Sequence, residues 1–143
     1  MAHADDHPII EFWFGELDDD GKASPDHQKR WWTKDAAFDQ LCRERFETEL
    51  IAAREGEREE LRESPRGCLA LILLFDQISR NIYRDTPGAF ATDDKALELA
   101  RHLIESGGID ELVPTEKSFA LMPLMHSEDR DVQKLSVERF AML

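Results

Sequence analysis

The sequence predicts an all-α fold of about seven helices in stacked antiparallel hairpins. Three observations carry this. Apolar residues recur at helical spacing between charges, most clearly as Phe38, Leu41, Cys42, Phe46, Leu50 and Ile51. No segment alternates apolar and polar residues with period two, and β-branched residues are sparse, so the main strand signals are missing. Capping residues and glycines bracket the periodic segments and leave short loops, as paired helices require.

Taken in order, residues 1–7 are read as a mobile polar tail and 8–143 as a single helical domain. "PIIEFWFGE" is a short helix opened by Pro8 and stopped at Gly15. "LDDDGKASPD" clusters turn residues and is a loop, and "HQKRWWTK" is a short linking segment. The long helix around Phe38–Ile51 ends at Gly56, and the charged piece "EREELRE" follows. Ser64 caps and Pro65 opens a helix that runs to about Tyr83. "DTPGAF" is a turn. Thr92 caps the next helix, with Asp93 and Asp94 in the first turn where the dipole favours them, and Gly107–Gly108 end it. "TEKSFALM" is a short helix that meets Pro123, and Ser127 opens a last helix to the end of the chain.

Bulk composition narrows the function. At 143 residues, with 41% apolar and 34% charged residues, the chain buries a core without disulfides or metal. A net charge of −13 and the lack of any Lys/Arg-rich run argue against nucleic acid and anionic membranes. No apolar run approaches the roughly 20 residues that cross a bilayer. Cys42 and Cys68 are not spaced as a redox or metal pair, and Cys68 reads as a small buried hydrophobe. With no apolar leader at "MAHADDHPII", the expected location is the cytoplasm. His3 and His7 lie in the tail, while His27, His102 and His126 lack zinc-site spacing. "DDDG" lacks the remaining ligands of a calcium loop. No metal or cofactor is expected. Phe12, Trp13, Phe14, Trp31 and Trp32 read as core.

The chemistry-bearing stretch is "LALILLFDQISRNIYRD". With Asp76 at zero on an α-helix, Arg80 falls at about 40°, Arg84 at about 80°, Gln77 at about 100° and Asn81 at about 140°. Phe75, Ile78 and Ile82 occupy the opposite side. The helix is therefore buried all round at its start and opens a polar face at its exit. One reading is an amphipathic exit in which Asp76 pairs with Arg80 and the amides serve loop carbonyls. The other is a cleft offering two guanidinium forks to a carboxylate or phosphate. The second candidate is "PLMHSEDRD", where His126 beside Glu128 suits an acid/base pair, although Ser127 and the acids also suit a helix start.

Together "EFWFGE", "RWWTKDAAFD", "LALILLFDQISRNIYRDTPGAFATDDKALELA" and "PLMHSED" resemble a bacterial family of unknown function, the domain-of-unknown-function family numbered 924. The resemblance runs from about Ile9 onward. Its pattern falls on Trp13, Trp31, Lys34 and Asp39, on Asp76, Gln77, Arg80, Asn81 and Arg84, on Phe90, Asp93 and Ala96, and on His126, Ser127 and Glu128. It implies a fold similar to tetratricopeptide-repeat hairpins and leaves activity open. Family members continue through a further helical region, whereas this chain stops at "RFAML". The expectation is a shortened chain whose apolar last helix favours self-association.

Three functions remain in play. The first expectation is a binding module in which Asp76, Gln77, Arg80, Asn81, Arg84, His126 and Ser127 line a cleft for a small anionic ligand or peptide end. The second is a polar network that locks helices together. The third is a hydrolase-type enzyme using His126 and Glu128 as acid and base.

Overall fold

The computed structural model describes residues 6–143, and within them every regular element is helical. Residues 1–5 of the expected tail, with His3, lie outside the described residues. Asp6 and His7 are held. Asp6 accepts two hydrogen bonds from Arg66, and His7 Nδ1 accepts the amide of Ile9 as the cap of α1 (Pro8–Phe14). The stop of α1 is Gly15, whose φ of 63° suits glycine.

The segment expected as a linker is a helix, α2 (Pro25–Trp32), because Ser24 caps it and Pro25 opens it. The Asp35 carboxylate accepts from the amides of Ala37 and Phe38 and starts α3 (Ala36–Arg54). A 3₁₀ turn, Glu59–Glu63, leads into α4 (residues 65–82). This rod begins as α-helix Pro65–Ile72, widens to π-helix over Leu73–Ile78, and finishes as α-helix Ser79–Ile82. Then come the 3₁₀ turn Pro87–Phe90, α5 (Asp93–Ser106), α6 (Pro114–His126) and α7 (Arg130–Ala141).

Three helix ends and one expected core residue differ from the expectation. Thr92 precedes α5, but its hydroxyl donates to the Phe75 carbonyl at 2.6 Å instead of capping. Pro123 does not stop α6, which runs three residues further. A proline this close to a helix end removes one backbone bond where the helix has few left to lose. Ser127 ends α6, and Asp129 is the residue whose carboxylate caps α7. Trp32 is 68% exposed and not core, since only one face of its ring stacks on Phe119, at 6.0 Å.

α4 is the central helix. Residues 67–76 are all buried, which is what seven consecutive apolar residues demand. α3 packs antiparallel to its second half, so that Asp39 reaches Arg84 while Ala53 lies by Leu71. α5 packs antiparallel on another side, with Thr92 at Phe75 and Gly108 at Pro65. α6 runs parallel to α4, tied by Arg66–Glu116 at one end and Asp76–His126 at the other. α7 closes onto α6 through buried Val132 and leaves Val137 and Met142 exposed. Burying each Leu or Ile of this core contributes about 1.5–3 kcal/mol. Cys42 and Cys68 belong to it: burial first, then the Asp39 charge, pushes the Cys42 thiol up to about 12, and burial raises Cys68. Both directions favour the protonated thiol, as expected of packed core cysteines.

His7 also donates from Nε2 to Glu49, at 2.9 Å, and Arg58 grips the same carboxylate. Those hydrogen bonds, Arg58 first and His7 second, depress the Glu49 carboxyl from 4.5 to about 2. A depressed acid stabilises the fold above its unfolded pKa and loses that contribution as pH falls through the folded one. Stability should therefore fall from about pH 4.5 towards pH 2, and Glu49→Gln should flatten that part of the urea-midpoint profile. An identical acid slope in the variant would refute it.

Candidate cleft at Asp76 and His126

The π segment places the site. The Ser79 amide bonds to the Leu74 carbonyl, five residues back, instead of four. Side chains serve the neighbouring carbonyls: Phe75 O accepts the hydroxyls of Ser79 and Thr92, both at 2.6 Å, and Asp76 O accepts Arg80 Nη1 at 2.6 Å.

Asp76 is completely buried, yet it is ringed by donors. Its Oδ1 accepts Nδ1–H of His126 at 2.8 Å and Nη1–H of Arg80 at 3.1 Å, and its Oδ2 accepts the Gln77 amide at 2.8 Å. Arg80 also makes a two-pronged pair with Asp93, at 2.9 and 3.0 Å, and the exposed ring of Phe90 lies over it at 5.2 Å. Helices α4 and α6 thus meet at one carboxylate, and α5 joins the cluster through Asp93 on Arg80. Arg80 joins Asp76 as the i,i+4 pair expected from the sequence.

With Nδ1 bound to Asp76, the ring nitrogen of His126 left without a protein partner among the described residues is Nε2. His126 is half-buried and lines a cleft of about 300 Å³ together with Asp76, Asp93, Asp94, Ser127 and Glu128, over an apolar floor of Leu97 and Pro123. The carboxylate that holds the imidazole is therefore Asp76, and no hydrogen bond joins Glu128 to His126 among the described residues. Ser127 lines the cleft, but its hydroxyl accepts the Asp129 amide at 3.1 Å.

Asn81 and Arg84 do not share this cleft. Both turn to α3, where Asp39 accepts Arg84 Nε at 2.6 Å, Arg84 Nη2 at 3.0 Å and Asn81 Nδ2 at 2.9 Å. Burial raises the Asp39 carboxyl, but hydrogen bonds from Arg84 and Asn81 and the charges of Arg84 and Lys34 outweigh it, so it stays below the usual range. Two packed neighbours therefore divide the polar arc read from the sequence, and both guanidinium forks are already filled by protein carboxylates. The cleft that remains is acidic. No cluster of His, Cys, Asp and Glu suited to a metal occurs among the described residues, and no helix there is long and apolar enough to cross a membrane.

Sequence reasoning missed Asp94, Leu97 and Pro123 as lining residues and Asp93 as the second anchor of Arg80. The paired acids at the start of α5 were the available signal, but they were explained by the helix dipole.

Over residues 9–143 the chain matches a family described as "Bacterial protein of unknown function (DUF924)". It is also similar to a solved protein of unknown function from Agrobacterium tumefaciens, at 34% identity and a TM-score of 0.75 over 80% of this chain. The chain spans 64% of that protein's length. No curated protein matches it.

Proposed function

We propose, from the premise that this chain belongs to the bacterial family of unknown function DUF924, that the cleft is a general acid/base site of hydrolase type with His126 as the proton carrier. The observation that supports it most is the fully buried Asp76 donating no hydrogen bond but accepting Nδ1–H of a half-exposed imidazole. A carboxylate in that position fixes the ring and steadies the charge it acquires when Nε2 takes a proton. Gln77 and Arg80 act as positioning residues, because they hold Asp76 and do not face the cleft as free donors. The π turn beneath them adds weight, since such turns are frequent at functional sites.

In this reading a water molecule gives a proton to Nε2 as its oxygen attacks the substrate, and the same proton passes to the leaving group as that bond breaks. Glu128, expected as the partner of His126, becomes a cleft-lining acid. The ligand is neutral or cationic and not the anion suggested by two free arginines, because Asp93 and Asp39 occupy those arginines. Two unpaired buried thiols fit a reducing compartment such as the cytoplasm. A polar lock is the second reading, favoured by the four hydrogen bonds that Arg80 gives to Asp76 and Asp93.

A panel of chromogenic esters, amides and phosphoesters separates the two. The acid/base reading expects turnover of at least one class, reduced about 10²–10⁴-fold by His126→Gln in a variant that remains folded. Absence of turnover across the panel, or turnover indifferent to His126→Gln, defeats it.

A further inference from the structure

The cleft does not end at its own rim. Asp94 and Leu97, which form one wall, also belong to a second, shallower depression of about 440 Å³ that continues along α5 past Glu98, Arg101 and His102 to Glu105. From Asp94 to Glu105 the helix rises about 16 Å, the reach of about five residues of extended peptide. A compact substrate fills the cleft and leaves this trough unused.

Charge along the path has one dominant sign. Asp93 is neutralised by Arg80 and Glu98 by Arg62. Asp94, Glu105 and Glu128 have no ion-pair partner among the described residues, and Arg101 is the cation set against them. The middle of the path is the half-buried side chain of Leu97. We propose that the cleft serves an extended basic peptide, which lies along α5 with its reacting group at His126. The placement of the reacting group rests on the acid/base reading, while the trough and its charge stand apart from it.

The test uses a fluorescein-labelled Lys-Leu-Lys-Leu-Lys-Leu peptide and fluorescence polarisation, with the Asp-Leu hexapeptide and the Lys-Leu dipeptide as competitors. The expected result is saturable binding of the basic hexapeptide, about tenfold weaker in Glu105→Lys. The dipeptide should compete equally against wild type and Glu105→Lys, because it reaches only the cleft. Lack of saturable binding, equal competition by the acidic hexapeptide, or an unaltered affinity in Glu105→Lys overturns the proposal, the last in favour of a compact ligand. Concentration-dependent mass in light scattering that the Leu97→Lys variant abolishes would assign the face to a second copy and overturn it too. Failure of the hexapeptide with His126-dependent turnover intact defeats this inference alone. Binding without any His126-dependent turnover defeats the acid/base reading and leaves the peptide trough.

Discussion

Asp76→Ala is expected to lower stability by about 3–5 kcal/mol, the usual result of removing one partner from a buried charged cluster. The reasons lie in what the alanine leaves behind. Arg80 keeps Asp93 but loses the carboxylate at 3.1 Å, His126 loses its partner at 2.8 Å, and Gln77 loses its acceptor at 2.8 Å. The three donors are only partly exposed, so water from the cleft replaces the buried carboxylate incompletely. In thermal unfolding the midpoint should drop by about 10 °C or more. Asp93→Ala should matter much less, about 0–1 kcal/mol, because that pair is partly exposed and screened. Similar losses for the two variants would show that the buried carboxylate is not the hub of the cluster.

Gly67→Ala is the second large effect. A Cβ there would stand 1.9 Å from the Leu61 carbonyl oxygen and 2.8 Å from its carbon. Both are backbone atoms, so no side chain can rotate away. The 3₁₀ turn Glu59–Glu63 presses directly against the first turn of α4, and only a residue without a side chain lets it. Overpacking of this kind typically costs about 1–3 kcal/mol, and a main-chain clash belongs at the top of that range despite alanine's better helix propensity, worth about 1 kcal/mol. Gly107→Ala is the control: nothing lies within 4 Å, and only its φ of +81° opposes the change, at about 1–2 kcal/mol. Urea titrations of the two variants should rank Gly67→Ala as the worse. The reverse order would mean that the Leu61 turn yields freely.

Helix existence was legible because periodic apolar residues, caps and glycines all agree along most of the chain. The buried start and polar exit of α4 were readable from Leu69–Phe75 followed by Asp76 and Arg80. The destination of each polar side chain was not. Asn81 and Arg84 leave the same face as Arg80 in projection, yet α3 supplies Asp39 to take them, and that depends on which helix packs alongside. His126 was visible as a candidate base, but the sequence offered Glu128 two residues away as its carboxylate. The true partner, fifty positions earlier, exists only through the parallel packing of α6 on α4. The π turn left no compositional trace, since "LLFDQI" would serve an ordinary α-helix equally well.

That turn carries a consequence for how the protein can change over time. A widened turn amounts to one inserted residue, and losing a residue between Leu73 and Ile78 would restore regular winding. The bulge absorbs that extra residue, so after its loss everything downstream would keep its facing while the oily upstream half stayed seated. Arg80 would still face Asp93, and Asn81 and Arg84 would still face Asp39. Loss of one residue from this turn is thus a change that the polar assembly survives, whereas the same loss from the regular winding on either side would rotate the two halves by about 100° and disconnect it.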